Sequence, residues 1–548
     1  MSRIFRRTYL KRHNQSLILC VRKNINNYNL EEVTAVDKKS SLDELKRRRE
    51  IALEMGGPEK IARHRQRGHI TARERIEKLV DPGTYTETGM LGLFQLPGNE
   101  KLYPASKLHG YGKIDGRVVA IQSDDSTVLA GTGGGGRPRM RSGVFTPPTR
   151  GCPSIRFGES GGVHLQSVQG SIGVLAVTMP IRGLMSPRRV PRVIGIMGNC
   201  FGDPTWQASQ CEFVVQVKGT CMAVSGPRVL GVALEEQTTP EELGGWKVHA
   251  EVTGQVDAFA EDDEHCAQLM REFISYMPSN CEEEPPPVST KDPTDRSVDS
   301  LNSLIPGEIT QTYDMEQVIK AIVDDGKYFI LKPYFAQALI VCLARMDGKS
   351  VGIIANQPLY NDGALGPDEC DKATDFIVMC DSFNIPLLFF VDTPGYLGGK
   401  VAEEKRFPTK SMHWLQALSI TTVPKISVII RRAYGLAASN MCRTNPSADF
   451  SIALTTADIR PVSPEMAIRA LYKSRIEAAK DPQKERDKVI KELQSQGGPF
   501  QAAMAGSIDD IIEPQDTRKY IINCLDILRG QRGNFISQKL LQTWPTGF

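Results

Sequence analysis

The stretch VIGIMGNCFGDPTWQ, residues 193–207, decides the fold expected for this chain. Its first five residues, Val193–Met197, are almost wholly apolar, which is typical of a strand buried on both faces of a sheet. Gly202 follows, and then Asp203-Pro204, where Asp is a favoured helix N-cap and Pro a favoured first helical residue. The stretch therefore predicts a strand, a tight turn and a helix start. The unpaired N–H groups of that helix start either hold an anionic oxygen or merely turn the chain.

The same pattern of strand and turn occurs twice in the chain. VPRVIGIMGNCFG, residues 190–202, matches VPKISVIIRRAYG, residues 423–435, without a gap. In the same way SIRFGESGG, ending at Gly162, parallels LLFFVDTPG, ending at Gly395. Both pairs have one and the same spacing along the chain, because Gly202 is as far from Gly435 as Gly162 is from Gly395. Motifs that repeat in one order at one spacing indicate an internal duplication.

A third pair of segments extends the duplication towards the start of each copy. RVVAIQSDD follows Asp115-Gly116 and SVGIIANQP follows Asp347-Gly348-Lys349, at a spacing only one position shorter than that of the other two pairs. Each copy therefore predicts three strands, and segments such as DECDKATDFIVMCDSF, residues 368–383, predict helices between them. Strands that alternate with helices predict an α/β fold with parallel strand pairs buried on both faces.

Composition limits the class of protein. The 548 residues exceed one ordinary core, so two or more domains are expected. A net charge of +3 gives no indication of a nucleic-acid or anionic membrane partner, and no run of about 18 apolar residues predicts a membrane span. The 12 cysteines contain no C-x-x-C pair, which argues against a zinc ribbon and a disulfide framework and indicates a reducing compartment.

The segments before and after the first copy differ in composition from the rest of the chain. In residues 1–30, seven Lys and Arg residues interleave with apolar ones before the first acid, Glu31. This resembles a mitochondrial transit peptide and predicts the mitochondrial matrix, with a disordered basic tail as the alternative. CEEEPPPVSTKDPTDR, residues 281–296, is rich in Pro and charge and predicts a linker. The expected domains are therefore residues 31–290 and 297–548.

Eight motifs in one order point to a known family. They are GHITARERIEKLVDPG, EELGG with His249, DPTDR, DMEQVIKAIVDDGKYF, ARMDGKSVGIIANQP, FNIPLLFFVDTPGYLGG, TVPKISVIIRRAYG and AGSIDDIIEPQDTR. Through them the chain, from about residue 42 to 530, resembles the carboxyltransferase (beta) chains of biotin-dependent acyl-CoA carboxylases. The resemblance implies an α/β fold of two tandem crotonase-like domains of the ClpP/crotonase superfamily, in agreement with the duplication.

The resemblance also implies a reaction and a way of supporting it. In this family a carboxyl group passes from carboxybiotin on a partner chain to the alpha (or vinylogous) carbon of a short or branched acyl-CoA such as propionyl-CoA. Two backbone oxyanion holes, one in each domain, stabilise the enolate of the thioester and the anion of biotin. The first domain then binds acyl-CoA and the second receives biotin, whose nitrogen is the base. No metal is implied.

Matching the chain to the family places both holes on named residues. The first hole falls on Gly202 and Asp203, and the second falls on Leu436 and Ala437. The residues expected beside bound acyl-CoA or biotin are Gly161, Gly162, Gly395, Tyr434, Gly435 and Ser439. Among these, the Gly162 and Gly395 positions let the backbone approach a ligand closely, because glycine has no β-carbon.

The chain departs from the family at both holes. The family has Gly-Gly where this chain has Gly202-Asp203, followed by Pro204, and Gly-Ala where it has Leu436-Ala437. A carboxylate beside a developing enolate repels it by about 1 to 4 kcal/mol, depending on screening. The penalty is small if Asp203 instead caps its own helix. Leu436 adds bulk where biotin is expected to approach.

Three further departures concern ligand binding. The aspartate that selects the acyl group in the family is Ser439 here, which leaves the choice of acyl group open. His164 replaces an arginine and is either structural or part of the site. Residues 131–151, rich in Gly and Pro, stand where the family has a helix and form either a loop over the CoA pocket or a flexible linker. The G-K-[S/T] ending of a Walker A loop is missing there.

The chain has neither a biotinylation A-M-K-M motif nor an ATP-binding Gly-rich loop. The resemblance therefore implies a biotinylated alpha-type partner and a homohexameric core. Three functions stay open at this point. They are carboxyl transfer, a catalytically degenerate paralogue that serves as a binding or assembly subunit of a carboxylase complex, and decarboxylation of malonyl-type thioesters.

Overall fold

Each of the two main sheets of the protein contains a hairpin with the same turn. The φ angles are +49° and +78° at Asp115 and Gly116, and +52° and +72° at Asp347 and Gly348. Two consecutive left-handed residues form the tight turn that joins antiparallel strands. The strand predicted after each Asp-Gly pair is therefore the second strand of a hairpin, and its first strand was not predicted from the sequence.

The computed structural model describes residues 38–96, 100–132, 151–162, 187–443, 448–530 and 539–544. The chain divides into two units, residues 1–53 and 54–548. In the first unit the described residues form one helix, α1 (Lys38–Leu53). The second unit contains all other elements named below. The predicted transit peptide, residues 1–30, lies outside the described residues, and the domain limits at 290 and 297 stay predictions.

The second unit contains two large sheets and a two-stranded ribbon. The first sheet has, in spatial order, β1 (Thr86–Thr88), β4 (Lys107–Ile114), β5 (Arg117–Asp124), β6 (Ser154–Ser160), β7 (Arg192–Phe201), β8 (Phe213–Val217) and β10 (Ala258–Ala260), with β9 (Cys221–Ala223) paired to β7. The second has β11 (Tyr328–Leu331), β12 (Leu339–Met346), β13 (Lys349–Asn356), β14 (Leu387–Thr393), β15 (Lys425–Tyr434), β16 (Phe450–Leu454) and β18 (Asp510–Ile512), with β17 (Asp458–Arg460) paired to β15. The ribbon is β2 (Phe94–Gln95) with β3 (Leu102–Tyr103).

Both sheets have the same topology. The hairpin strands β4 and β5, like β12 and β13, pair antiparallel. From there on the strands pair parallel, β5 to β6, β7, β8 and β10 in the first sheet and β13 to β14, β15, β16 and β18 in the second. This repeat confirms the predicted duplicated α/β fold.

Short helices connect and flank the strands. They are α2 (Pro58–Gln66), α3 (Ala72–Leu79), α4 (Asp203–Ala208), α5 (Pro227–Ala233), α6 (Pro240–Gly244), α7 (Asp263–Tyr276), α8 (Leu301–Leu304), α9 (Met315–Ile322), α10 (Pro367–Ser382), α11 (Lys400–Glu404), α12 (Phe407–Ile420), α13 (Gly435–Asn440), α14 (Pro464–Ala470), α15 (Lys473–Glu477), α16 (Pro482–Gln496), α17 (Pro499–Met504) and α18 (Thr517–Leu528). Single turns of 3₁₀ or π helix lie at Leu129–Gly131, Val248–Val252, Asp324–Gly326, Asn361–Gly363, Pro514–Asp516 and Leu540–Thr543. In the ranges that the structure describes, no helix has both the length and the apolar character needed to cross a membrane.

One hydrophobic core is continuous through both sheets. A single buried cluster includes Phe157 of the first sheet and Phe389 of the second. Where the sheets meet, the ring of Phe213 stacks on Phe273 at 4.5 Å between centroids and meets the edge of Phe329, from the second sheet, at 5.4 Å. Because the two halves share a core, burial of apolar surface stabilises both together.

The predicted linker, residues 281–296, lies bonded along the second sheet. The Val288 N–H donates to the Gly348 carbonyl at 2.8 Å, beside the hairpin turn. The side-chain amide of Asn384 donates to the Cys281 carbonyl at 3.0 Å. The segment therefore connects the two sheets and also packs as part of the second half.

Candidate functional site

The predicted turn begins a short helix at a left-handed glycine in both halves. Gly202 has a φ of +71° and is the N-cap of α4, and Gly435 has a φ of +60° and begins α13. A β-carbon on Gly435 would lie 3.2 Å from the Pro461 carbonyl oxygen, whereas nothing lies within 4 Å of one on Gly202. The two glycines thus share a positive φ, but Gly202 precedes its helix as the N-cap and Gly435 is the first residue of its helix.

The helix at the first turn begins one residue earlier than the sequence predicts. Asp203 is not the N-cap, because Gly202 holds that position and Asp203 is the first helical residue, followed by Pro204. The Trp206 N–H closes the first helical turn on the Gly202 carbonyl at 3.0 Å. The left-handed glycine lets the chain turn sharply at this point. The Asp203 side chain makes no cap, so the alternative in which it caps its own helix is wrong.

The carboxylate of Asp203 is bound by a buried cation instead. Its Oδ2 accepts from Arg156 Nη2 at 3.0 Å and its Oδ1 accepts from Gln207 Nε2 at 2.7 Å. Arg156 has no exposed surface and also donates to Asp124 Oδ2 at 2.7 Å. Lys107 Nζ lies 3.1 Å from Asp124 Oδ1. Two cations therefore balance two carboxylates beneath the turn.

This pairing shifts the pKa values of the buried groups. Burial alone would raise the pKa of the Asp124 carboxyl, but Arg156 and Lys107 outweigh it and hold that pKa well below its usual range. Burial alone would lower the pKa of Arg156, and the two carboxylates raise it above the ordinary value. Arg156 therefore stays charged at neutral pH. The repulsion expected between Asp203 and an enolate is opposed by a guanidinium in direct contact with it.

The first turn presents one unpartnered N–H group at the expected hole. The Asp203 N–H has no acceptor among the described residues, and the Gly202 N–H makes a long bond of 3.4 Å to the Ala223 carbonyl. Pro204, the next residue, has no N–H to offer. The hole predicted on Gly202 and Asp203 thus has one free donor and one weakly held donor.

The second turn presents two such groups. Neither the Leu436 nor the Ala437 N–H has an acceptor within the described ranges. The Leu436 side chain is 50% exposed, and that of Ala437 is buried. When Gly202 is aligned with Gly435, Pro204 corresponds to Ala437, so the first turn lacks a donor that the second one has. In the alignment of the two copies, the second predicted hole therefore lies one residue later than the first.

A second glycine lies beside each turn. Gly162 and Gly395 have φ angles of +100° and +130°, and their N–H groups donate to Ser160 Oγ and Thr393 Oγ1 at 3.3 Å in both halves. A β-carbon on Gly162 would lie 3.5 Å from the carbonyl of Phe201, the residue before the first turn. The ends of β6 and β7 thus lie together, and the approach of a ligand to Gly162 and Gly395 stays a prediction.

The remaining predicted site residues, Gly161, Tyr434 and Ser439, differ in their hydrogen bonds and burial. The Gly161 N–H donates to the Ala130 carbonyl at 2.9 Å. Tyr434 is buried, and its hydroxyl donates to Asp458 Oδ2 at 2.6 Å, so its side chain supports the end of β15. Ser439 is half-buried on α13, and its place beside bound acyl-CoA or biotin stays a prediction.

Two cavities lie away from both turns. One of about 420 Å³ lies between the sheets, and Asp257, Lys332 and Lys372 are among its lining residues. Another of about 220 Å³ lies where β13, β14 and β15 begin, next to linker prolines such as Pro285. The turns stand at the opposite, carboxyl ends of these strands. His164 and residues 133–150 lie outside the described residues.

The sequence did not single out Arg156, Asp124 or Lys107. A signal was available, because Arg156 interrupts the apolar strand SIRFGES, and a buried charge requires a partner. The identity of the partner could not be read from it. Among the residues that the structure describes, no group of three or more His, Cys, Asp or Glu side chains is arranged to hold a metal ion.

Comparison with known proteins gives consistent matches over the chain. The carboxyl transferase domain model matches residues 63–541. The propionyl-CoA carboxylase carboxyltransferase subunit of Haloferax mediterranei is 35% identical over 90% of this chain and 96% of its own length. The methylmalonyl-CoA decarboxylase subunit alpha of Propionigenium modestum is 34% identical over 92% and 99%. The mitochondrial propionyl-CoA carboxylase beta chain of Homo sapiens is 33% identical over 89% and 91%.

A solved structure extends the similarity to three dimensions. A crystal structure of transcarboxylase 12S superposes with a TM-score of 0.83 at 31% identity, over 92% of this chain and 98% of that one. It is described as a hexamer assembly with methylmalonyl-CoA and methylmalonic acid bound. The similarity covers both sheets, so the duplicated crotonase-like fold is common to the two proteins.

Proposed function

The chain belongs to the carboxyl transferase family, and from this premise we propose that it moves a carboxyl group from carboxybiotin on a partner chain to the alpha carbon of a short acyl-CoA such as propionyl-CoA. The observation that carries the proposal is the pair of turns at which, among the described residues, the N–H groups of Asp203, Leu436 and Ala437 have no acceptor. Donors fixed before the reaction stabilise charge as it develops on an oxygen, at little cost of reorganisation.

In the first half, the proposed ligand is the acyl thioester. The Asp203 N–H donates to the thioester oxygen, which becomes negative when the alpha carbon loses its proton. Arg156 balances the Asp203 carboxylate at 3.0 Å, so the same residue offers a donor without an opposing free charge. Gly162 leaves the adjacent backbone open for the thioester.

In the second half, the proposed ligand is the ureido group of biotin. The N–H groups of Leu436 and Ala437 fit its carbonyl oxygen, because both are unpartnered and stand at a helix start, which favours negative charge. When bound, biotin supplies the carboxyl group and the nitrogen base. The half-exposed Leu436 side chain forms the rim of this site.

The assembly and location follow from the same family. We propose a biotinylated alpha-type partner, because no biotinylation A-M-K-M motif occurs in these 548 residues. We further propose a homohexameric core, which rests on the hexamer described for transcarboxylase 12S. The mitochondrial matrix is proposed from the basic segment 1–30 and from a mitochondrial relative in Homo sapiens.

The test is carboxylation with a loaded partner. The purified complex is given ATP, labelled bicarbonate and a panel of acyl-CoA thioesters, and acid-stable label in the acyl-CoA product is counted. Transfer to a short acyl-CoA is the expected result. The control is the same complex with avidin added, which blocks biotin. No product with any thioester, in the presence of a carboxylated partner, contradicts the proposal and favours the degenerate assembly subunit.

A second candidate is decarboxylation of a malonyl-type thioester. It is favoured by the similarity to the methylmalonyl-CoA decarboxylase subunit alpha, which extends over 99% of that protein. Release of CO₂ from methylmalonyl-CoA without ATP would support this candidate. Both candidates use the same two turns and differ in the direction of transfer.

A further inference from the structure

A buried arginine in the first sheet reaches the proposed acyl site from below. Arg156 stands in β6, has no exposed surface and donates to three acceptors. These are Asp124 Oδ2 at 2.7 Å, Asp203 Oδ2 at 3.0 Å and the side-chain oxygen of Gln207. The planar guanidinium has donors enough to bind both carboxylates at once, which a lysine ammonium does less well.

The second half of the chain shows the same site without these charges. In the gapless alignment of the two copies, Phe389 stands at the position of Arg156 and Leu436 at that of Asp203. Phe389 is fully buried in the core. One half therefore has both members of the ion pair and the other half has neither. The arginine is not required by the fold of such a strand, and its presence accompanies that of Asp203.

The Asp203 carboxylate is held clear of the N–H group of its own residue. Its two oxygens accept from Arg156 and from Gln207, one helical turn further on, and neither accepts from the helix start. Without the arginine, the Asp203 carboxylate next to the thioester oxygen would be balanced only by Lys107, whose Nζ lies 4.0 Å from Asp203 Oδ2. The carboxylate would also be free to accept from the backbone donors that the thioester oxygen needs.

We propose that Arg156 is a positioning residue for the carboxyl acceptor: it neutralises the Asp203 carboxylate and keeps the Asp203 N–H free for the thioester oxygen. The inference rests on the proposed function, in which that N–H belongs to the oxyanion hole. Arg156 does not touch the substrate. It acts through Asp203, and the two residues form one functional unit.

The experiment compares Arg156→Met, Asp203→Asn and the double variant in the complex with its biotinylated partner. Arg156→Met is expected to lower kcat roughly 10- to 100-fold with little change in the KM for acyl-CoA, because the loss concerns developing charge. Asp203→Asn removes the charge and keeps the backbone N–H, and its kcat is the reference that the double variant is expected to match within about threefold. Because the asparagine removes the charge that Arg156 neutralises, the double variant is expected to recover most of the lost rate.

Recovery distinguishes the proposal from a merely structural role of Arg156. A double variant as slow as Arg156→Met, or an Arg156→Met with wild-type kcat, would overturn it. If Arg156→Met does not fold because Asp124 then keeps only Lys107 as a cation, the same comparison is made in the Asp124→Asn background, where that buried carboxylate is absent. Gln122→Met is the matched control, because it removes a donor from Asp124 at 3.0 Å and leaves the pair of Arg156 and Asp203 intact.

The inference and the proposed function fail in different ways. An inactive wild-type complex contradicts the proposed function. An active wild type whose rate does not depend on the pair of Arg156 and Asp203 contradicts the inference alone. Thermal unfolding of every variant, followed by circular dichroism, shows whether a lost rate reflects a lost fold.

Discussion

Asp324 in the second half accepts the same pair of backbone hydrogen bonds as Asp81 in the first. Each carboxylate binds the two N–H groups of its Asp-Gly hairpin turn, at 3.1 and 2.6 Å for Asp324 and at 3.1 and 2.9 Å for Asp81. Each also binds an arginine of a later helix, Arg518 at 2.6 Å and Arg271 at 3.2 Å. The duplication therefore extends to an ion pair outside the segments in which it was detected.

The two copies of this ion pair predict different costs of removal. Asp324 and Arg518 are 5% and 0% exposed, whereas Asp81 and Arg271 are 26% and 28% exposed. Asp324→Ala removes the 2.6 Å partner of a buried guanidinium, which keeps only the Asp292 carboxylate at 3.8 Å, and is expected to cost about 3 kcal/mol. Asp81→Ala is expected to cost about 1 kcal/mol, because water reaches the charge that remains. Urea unfolding followed by circular dichroism checks the order, and equal shifts contradict it.

The glycines that begin the two turns predict unequal sensitivity to alanine. Gly435→Ala and Gly202→Ala each force a left-handed φ on a residue with a β-carbon, at a cost of about 1 kcal/mol. Gly435→Ala is expected to lose more stability and more transfer activity, since its β-carbon would also meet the Pro461 carbonyl at 3.2 Å. The apparent Tm and the rate are measured for both. Gly307→Ala is the control, because that glycine has open space and no positive φ.

The position of Leu436 predicts that its replacement changes the KM for biotin and leaves the KM for acyl-CoA unchanged. Its side chain is half exposed, so Leu436→Ala is expected to change stability by less than about 0.5 kcal/mol. Removing bulk beside the proposed biotin donors is expected to lower the KM for free biotin, used as a carboxyl acceptor in the reverse reaction, and to leave the KM for acyl-CoA unchanged. Leu397→Ala, equally exposed on the loop after Gly395, is the control. A raised KM for biotin would show instead that Leu436 packs on it.

The burial of His109 predicts that the protein loses stability in mild acid. Burial lowers the pKa of this histidine to about 4, with Lys107 adding to the effect, and within the described part of the chain neither ring nitrogen has a hydrogen-bond partner. Between about pH 6.5 and 4 the unfolded chain binds a proton that the folded one does not, so folding free energy is lost as the pH falls through this window. At pH 5 the loss is about 2 kcal/mol. Below about pH 4 it no longer grows.

The check for His109 uses two variants that do not titrate. The decline of the apparent Tm between pH 7 and pH 5 is expected to be smaller for His109→Phe and His109→Gln than for the wild type. Phe also tests packing, because its ring is of similar size. If the wild type and both variants decline in parallel, the histidine does not contribute to the acid sensitivity.

Much of the fold could be predicted, because its information is local and repeated. Apolar strands ending in Gly-containing turns occur twice at one spacing, and both sheets follow that order. The first strand of the first hairpin was missed, since KLHGYGKI, residues 107–114, has glycine and polar residues between few apolar ones. Its counterpart LIVCLARM, residues 339–346, is strongly apolar, so there a usable signal was overlooked. In KLHGYGKI, the polar His109 is buried opposite Gln122 of the neighbouring strand, and the pattern of a single strand cannot show such burial.

The position of the candidate site could be predicted from the sequence, but its chemistry could be predicted only in part. The turns at Gly202 and Gly435 followed from the duplication and the family. The role of Asp203 did not, because its partner Arg156 is 47 residues away in the sequence and meets it only when β6 and α4 are packed together. An N-cap was the natural expectation for an aspartate before proline. The left-handed glycine took that position, and the carboxylate bonded across the sheet.

The bonding of segment 281–296 along the second sheet limits the relative motion of the two halves. A connection bonded along one sheet, between halves that share an unbroken interior, does not behave as a hinge. Within one polypeptide, the shared core therefore holds the Gly202 and Gly435 turns in fixed positions. If the two turns hold the reactants as proposed, the reacting groups must themselves move between them, because the two halves do not open and close to bring the turns together.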